Sequence, residues 1–205
     1  KVLNNLKSSS HTLLACYISA LTGLRLGEVL GLERKNIYKN FIDVSQQHTV
    51  FGEITRPKTK MSRYVTIPRK LSILLENILK KSSSNFLFDN GKGKILSNST
   101  IQSAFLRYFA KIKIQRDQKL SFHSLRHFFN TYLTENDISD RKIKTIMGHS
   151  SGLGSMTERY TTWKPSMFND VLKIQNELCD NLANLLDVDT KKNCFYNLFF
   201  VCNFI

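Results

Sequence analysis

The sequence predicts an α+β fold that is mainly helical and carries a small antiparallel β-sheet in its first third. Apolar residues recur at helical spacing over most of the 205 residues, whereas short β-branched segments cluster between positions 41 and 67. Hydrophobic residues make up 41% and aromatic residues 11% of the chain, which is enough to build a core and excludes wholesale disorder.

The first half predicts helices on either side of a strand region. The predicted helices are Leu13–Leu21, Leu26–Leu32 and Leu71–Leu79, and the predicted strands are Phe41–Val44, His48–Phe51 and Arg63–Ile67, the last of which ends at Pro68. Thr22-Gly23 separates the first two helices.

The second half predicts helices almost throughout. Apolar stripes indicate helices over Ile101–Ile112, Leu125–Leu133 and Ile143–Met147, and Pro165 opens a last long helix that reaches about Leu186. A short strand is expected at Phe86–Phe88.

The charge balance points to a polyanionic partner. Thirty Lys and Arg against sixteen Asp and Glu give a formal net charge of +14, which favours nucleic acid or an anionic membrane surface. No stretch approaches the roughly 18 charge-free apolar residues of a spanning helix, so nucleic acid is preferred. Residues 1–10 lack the apolar core of a signal peptide, and the four cysteines show no CxxC spacing, so we expect reduced thiols in an intracellular protein.

Two basic stretches have candidate anion-binding residues. In Thr22-Gly-Leu-Arg-Leu-Gly-Glu28, the planar fork of Arg25 can reach an anion while Glu28 orients it, although on its own the pattern is more simply explained by an ordinary salt bridge between helices. The segment Arg56–Arg63 is rich in lysine and arginine at what is predicted to be a hairpin, a common contact with a phosphate backbone. On its own, this segment is more simply a solvated loop.

Two later stretches add histidine and tyrosine. His123 and Arg126 share one helical face and can converge on a phosphate, but a histidine beside an arginine is a poor metal site. His127 is expected to have a packing or supporting role. His149 follows Gly148, and Tyr160 comes eleven residues after His149. Taken in isolation, Tyr160 is predicted to be a half-buried aromatic residue of the core.

Taken together, these stretches resemble the catalytic domain of the tyrosine recombinases, the phage-integrase family. The resemblance extends over about residues 10 to 165, and its matching pieces are Ala20–Leu30, Pro57–Lys60, Thr66–Pro68, His123–Phe128, Met147–Ser151 and Arg159–Thr161. It therefore implies the tyrosine-recombinase catalytic fold.

The resemblance implies a role for each of six residues. Arg25 and Arg126 are similar to the phosphate-clamping arginines, Lys58 to the hairpin lysine and Tyr160 to the nucleophile, with Lys60 a rival for the lysine role. His149 is similar to the histidine that supports the phosphate, and His123 to the box-II histidine, which could accept the tyrosine proton or hold the phosphate. The chemistry is consistent with these roles, because two guanidinium groups stabilise a pentavalent phosphate and a lysine can protonate the leaving oxygen. A tyrosine with an ordinary pKa near 10 needs a nearby base or a cationic field. No metal and no nucleotide cofactor is expected.

The implied activity is site-specific DNA recombination or integration through a 3′-phosphotyrosyl intermediate. The expected partners are double-stranded DNA and further copies of the chain, which form a tetramer on DNA and associate weakly without it, with no membrane involved. The resemblance also implies a prokaryotic protein that is cytoplasmic and associated with DNA. Two alternatives are a type IB topoisomerase-like enzyme that relaxes DNA, and a non-catalytic DNA-binding module on the same fold; the complete set of six residues argues against the module.

We expect a catalytic domain over residues 1–190 and an apolar tail over residues 191–205, which has no counterpart in the family pattern. The family's N-terminal core-binding domain is not in this sequence, so we expect a fragment. No charged residue follows Lys192, and the tail either docks on a neighbouring protomer or is a terminus altered by truncation or a change of frame. The insertion Gly152-Leu-Gly154 lengthens the interval between His149 and Tyr160, so a looser tyrosine loop is expected.

Overall fold

Two helices near the N-terminus form the centre of the fold. A computed structural model describes residues 9–59, 61–91, 93–111, 121–149 and 163–187. In it, α1 spans Ser9–Thr22 and α2 spans Leu26–Leu30, as the apolar spacing predicts. Helix α1 is contacted by α2 and by three later helices, and its residues from Ala15 to Thr22 are buried except for Tyr17. It is buried on nearly all sides because it is apolar nearly all round.

The strand region forms two antiparallel pairs. Strand β1 (Phe41–Val44) pairs with β4 (Arg63–Thr66), and β2 (Gln47–His48) pairs with β3 (Ile54–Thr55). The predicted strand His48–Phe51 is wrong beyond His48, because Thr49–Glu53 makes the turn between β2 and β3 with a φ of +88° at Gly52. The basic segment is therefore not the hairpin turn but the irregular return from β3 to β4.

Five further helices surround α1 and the strands. Their bounds are α3 Arg69–Lys81, α4 Asn98–Lys111, α5 His123–Glu135, α6 Asp140–Met147 and α7 Asn169–Asp187, with 3₁₀ turns at Arg34–Asn36 and Pro165–Phe168. The described residues of the apolar stripes predicted for α3, α4, α5 and α6 belong to the core or pack against it.

Two smaller predictions are corrected by the structure. Phe86–Phe88 is not a strand: the region makes only isolated bridges, between Glu33 and Phe86 and between Asp89 and Ile95. Leu87 and Phe88 are apolar because they are buried in the core rather than because they lie in a sheet. Pro165 opens a 3₁₀ turn, and the α-helix itself begins at Asn169.

The core places three chain segments next to one another. Helices α1, α2 and α5 pack together, α6 contacts both α5 and β4, and the turn between α1 and α2 faces the C-terminal end of α6. Among the described residues, no helix is long and apolar enough to cross a membrane.

Candidate active site

The turn between α1 and α2 lies directly against two other helices. Gly23 ends α1 with a left-handed φ of +67° and donates its N–H to the Ser19 carbonyl at 2.8 Å. A Cβ atom at this position would lie 2.7 Å from Cδ1 of Phe129 in α5 and 2.6 Å from Sδ of Met147 in α6. Glycine is therefore required for both the backbone conformation and the close approach.

Arg126 in α5 is buried against this turn. Its side chain is among the largest fully buried ones, and its guanidinium donates to the backbone carbonyls of Gly23 and Met147. Burial, and then repulsion from Arg25, lowers the pKa of Arg126 to about 9, so the group stays charged at neutral pH. A cation held in this way gains from any anion that reaches it.

Arg25 follows the same turn and shares an acceptor with Arg126. Its guanidinium donates to the carbonyls of Met147 at 3.4 Å and Gly148 at 3.2 Å, and to Oε1 of Glu28 at 3.2 Å. Glu28 is fully buried and also accepts the backbone N–H of Arg25 at 2.9 Å. The prediction that Glu28 orients Arg25 is confirmed, and the side chain of Arg25 remains 25% exposed.

The C-terminal end of α6 explains why the arginines converge. The last carbonyls of a helix lack partners within the helix and carry partial negative charge. Gly148 ends α6 with a φ of +58°, and the N–H of His149 bonds to the Lys144 carbonyl at 3.0 Å while that of Gly148 bonds to Thr145 at 3.1 Å. This glycine-terminated turn brings His149 beside the arginines that cap the helix.

An open pocket lies over the two arginines. It encloses about 160 Å³ and is lined by residues from α1, α2, α4 and α5: Ser19, Leu24, Arg25, Leu26, Gln102, Ser121, Phe122, His123 and Arg126. Since one water accounts for about 30 Å³ of liquid, the pocket has room for a tetrahedral oxyanion. Its two guanidinium groups match the planar, bidentate recognition of phosphate.

Two histidines border this cationic site. His123 opens α5, is exposed and stands edge-on to His127, with ring centroids 4.7 Å apart. Partial burial, and then the charges of His127 and Arg126, lowers the pKa of His123. Partial burial, and then Arg126 and Arg25, lowers the pKa of His149. Both imidazoles are therefore neutral at pH 7, a state in which either can accept a proton.

Of the other sequence-predicted residues, the structure describes only Lys58, and Lys58 does not line the pocket. Lys58 is exposed in the segment between β3 and β4, and it makes no hydrogen bond or ion pair with another described residue. Tyr160, Lys60, the Gly152–Gly154 insertion and the tail over residues 191–205 lie outside the described residues.

The sequence reading missed two residues. Gln102 of α4 lines the pocket, and nothing in its local sequence signals that position. Arg63 was treated only as part of the basic segment, yet it is buried and bonds to Glu28 through both terminal nitrogens. The alternation of side chains along β4 could have indicated that Arg63 is buried, because Arg63 shares the inward face of the strand with Val65 while Tyr64 is exposed. Among the described residues, no group of three His, Cys, Asp or Glu side chains is placed to hold a metal ion.

Solved structures with this architecture are tyrosine recombinases. An integrase of the transposon Tn1549, in complex with a circular intermediate DNA, superposes with a TM-score of 0.62 at 21% identity, covering 82% of this chain and 56% of that one. The XerA recombinase superposes with a TM-score of 0.52 at 22% identity, covering 81% of this chain and 62% of that one. The fold is thus that of a tyrosine-recombinase catalytic domain, as the sequence predicts.

The sequence itself defines the family. Residues 1–166 match the model of the phage integrase family, and the chain belongs to that family. A probable integrase of prophage ps2 from Lactococcus lactis is 29% identical over 184 residues, which is 80% of this chain and 48% of the relative. The tyrosine recombinase XerD of Staphylococcus saprophyticus is 32% identical over 166 residues, which is 76% of this chain and 50% of XerD. The chain spans about half the length of these relatives.

Proposed function

We propose that this chain is the catalytic part of a site-specific recombinase that cuts and rejoins double-stranded DNA through Tyr160. The observation that carries the proposal is the pocket in which Arg25, Arg126 and His123 face the same space, on a chain with a net charge of +14. Family membership and solved relatives bound to DNA support the same reading. A phosphodiester is the anion that fits such a pocket on a basic protein.

The proposed step is an in-line exchange at one phosphate. The Tyr160 hydroxyl oxygen forms a bond to phosphorus, the bond from phosphorus to the 5′-oxygen breaks, and the DNA remains attached through its 3′-phosphate. The proton of Tyr160 passes to His123, whose neutral state allows it to act as a base. Lys58 gives a proton to the departing 5′-oxygen, and attack by a 5′-hydroxyl on the phosphotyrosine reverses the step. No net hydrolysis occurs, because one phosphodiester replaces another.

The two arginines supply the stabilisation that this step requires. The phosphate gains negative charge in the pentavalent transition state, and fixed guanidinium donors stabilise it without reorganising. Arg126 is fixed by its bonds to two backbone carbonyls and Arg25 by Glu28 and the end of α6. Neutralising the phosphate also lowers its repulsion of the incoming tyrosine oxygen.

The proposal is tested by trapping the covalent intermediate. The protein is incubated with a pool of nicked duplexes of randomised sequence, from which the short cleaved strand diffuses away, and adducts are resolved on a denaturing gel. We expect an adduct from the wild-type chain and none from Tyr160→Phe, with equal DNA affinity for both. Tyr132→Phe is the matched control, because Tyr132 packs beside Phe128 in α5 and should be dispensable. An adduct of undiminished yield from Tyr160→Phe would contradict the proposal.

Two further assays with the same protein distinguish a recombinase from a topoisomerase-like enzyme and from a non-catalytic DNA-binding module. Relaxation of supercoiled plasmid without joining of two DNA partners would favour a topoisomerase-like activity, and DNA binding with no adduct from any sequence in the pool would favour a binding module.

We infer that copies of the chain assemble on DNA as a tetramer. Mass photometry with and without DNA measures this, and a monomer on every captured DNA would contradict it.

A further inference from the structure

Arg63 lies outside the six residues assigned above, yet it makes the best-formed ion pair near the pocket. It is the first residue of β4 and is buried. Its Nη1 and Nη2 atoms donate to Oε1 and Oε2 of Glu28 at 2.9 and 2.8 Å, and its Nε donates to the Ile146 carbonyl in the last turn of α6 at 2.7 Å. One guanidinium thus joins β4, α2 and α6.

The carboxylate that Arg63 holds is the one that orients Arg25. Each oxygen of Glu28 accepts one bond from Arg63 and one from Arg25, the latter from Nη1 at 3.2 Å and from the backbone N–H at 2.9 Å. Because Glu28 is fully buried, loss of Arg63 would leave Arg25 as the one cationic partner of Glu28 among the described residues. The guanidinium of Arg25 would then be drawn inward, away from the Gly148 carbonyl and the pocket.

Arg63 also packs on the turn that carries His149. A Cβ atom at Gly148 would lie 2.8 Å from both Cζ and Nη1 of Arg63, so the guanidinium rests on the glycine itself. Gly148 has a φ of +58°, and His149 is the next residue. The position of His149 therefore depends on what occupies the space above Gly148.

We propose that Arg63 is a positioning residue for DNA strand cleavage, which presents Arg25 and His149 to one phosphate by fixing Glu28 and the end of α6. This role rests on the function proposed above. Arg63 also anchors the start of β4, the strand that follows the basic segment. Lys58 lies in that segment, five residues before Arg63. The side chain of Arg63 is buried, and its Nε, Nη1 and Nη2 atoms all donate hydrogen bonds within the protein, so we expect no contact between Arg63 and DNA.

The test compares Arg63→Met with Arg34→Met in the 205-residue chain. Arg34 is a matched control, because its guanidinium caps α3 by donating to the carbonyls of Leu79 at 2.6 Å and Ser82 at 2.9 Å, away from the pocket. The readouts are single-turnover cleavage of a nicked duplex captured from the random pool, DNA affinity, the His149 pKa by NMR titration, and Tm.

We expect Arg63→Met to cleave about 100-fold more slowly, the size of effect that an ångström of misplacement produces. Its DNA affinity should stay within about threefold, since a buried arginine makes no phosphate contact. The pKa of His149 should rise, because one of the charges that lower it is gone. Arg34→Met should lower Tm while leaving cleavage and the His149 pKa unchanged. Arg63→Lys should also cleave slowly, since a lysine cannot replace the planar fork.

A second comparison isolates the contact with Gly148. Gly148→Ala is made in the wild type and in Arg63→Ala, where the guanidinium that supplies the three nearest contacts of the added methyl group is absent and the strain of a positive φ remains. We expect the loss of cleavage caused by Gly148→Ala to be smaller in the Arg63→Ala background.

The possible results separate the two proposals. Wild-type cleavage by Arg63→Met, or strictly additive effects of the two alanines, would overturn the role of Arg63 while the proposed function stands. If the wild-type chain forms no adduct with any DNA in the pool, the proposed function fails and the role of Arg63 fails with it.

Discussion

Replacing Gly23 by alanine tests how closely the turn beside the pocket is packed. The new Cβ atom would lie 2.7 Å from Cδ1 of Phe129, which is fully buried, and 2.6 Å from Sδ of Met147. The methionine side chain can adjust, but the phenylalanine ring of α5 is fully buried in the core, where close packing opposes its movement. The substitution therefore adds overpacking to backbone strain.

The matched control is Gly52→Ala, in the turn between β2 and β3. Gly52 also has a positive φ, of +88°, but an added Cβ would meet nothing within 4 Å. The left-handed conformation costs a non-glycine residue about 1–2 kcal/mol at either position. Overpacking adds about 1–3 kcal/mol at Gly23 alone. We expect the free energy of unfolding to fall by about 2–5 kcal/mol for Gly23→Ala and by about 1–2 kcal/mol for Gly52→Ala.

Urea denaturation followed by circular dichroism measures both free energies on the same chain, and thermal scans provide a check. For a chain of this size, about 2–4 °C of Tm corresponds to 1 kcal/mol, so Tm should be roughly 2–12 °C lower for Gly23→Ala than for Gly52→Ala. DNA cleavage should also fall for Gly23→Ala alone, because its carbonyl is an acceptor for Arg126. Equal losses of stability for the two variants would refute the packing argument.

Four further predictions concern charge, protons and the tail. Lys58→Ala should slow cleavage by about 10²–10⁴-fold, and a substrate with sulfur in place of the 5′-bridging oxygen should rescue it but not Arg126→Ala, because only the lysine serves the leaving group. Ion pairing holds the pKa of Glu28 below its ordinary value despite burial. The contribution of this ion pair to the free energy of unfolding should therefore be present at neutral pH and lost as the pH falls through the lowered value. In urea melts at acid pH, Glu28→Gln should lack this pH dependence. Cleavage should be level between pH 8 and 7 and should decrease as the pH falls through the pKa of His123, which partial burial and neighbouring cations hold below its ordinary value; a rate that rises on acidification would contradict this. Deleting residues 193–205 should leave cleavage of single sites intact; recombination of paired sites that also survives would exclude docking of the tail on a neighbouring protomer.

Much of the site was predictable because its chemistry is local in sequence. The Gly23 to Glu28 segment contains its own turn, cation and orienting carboxylate, and the structure shows each in that role. Helical spacing placed His123 and Arg126 on one face, and both line the pocket. The burial of Arg126 was not predicted, since it depends on carbonyls from two distant segments.

What the sequence did not predict depends on contacts between distant segments. Arg63 is a pairing partner of Glu28 only because β4 passes α2 and the end of α6, and a count of basic residues cannot distinguish it from its exposed neighbours. A turn at Thr49–Glu53 stands in place of a predicted strand, since its large apolar residues face solvent: Val50 is 75% and Phe51 87% exposed. Phe86–Phe88 was misassigned for the opposite reason, because burial alone accounts for its apolar residues.

The most direct test of the central claim identifies the bond between protein and DNA. Adducts captured on nicked duplexes are digested with nuclease and trypsin, and the peptide that retains a nucleotide is sequenced by mass spectrometry. We predict a nucleotide joined through its 3′-phosphate to Tyr160, with a free 5′-hydroxyl on the released strand. A nucleotide on any other residue, or one joined through its 5′-phosphate, would contradict it.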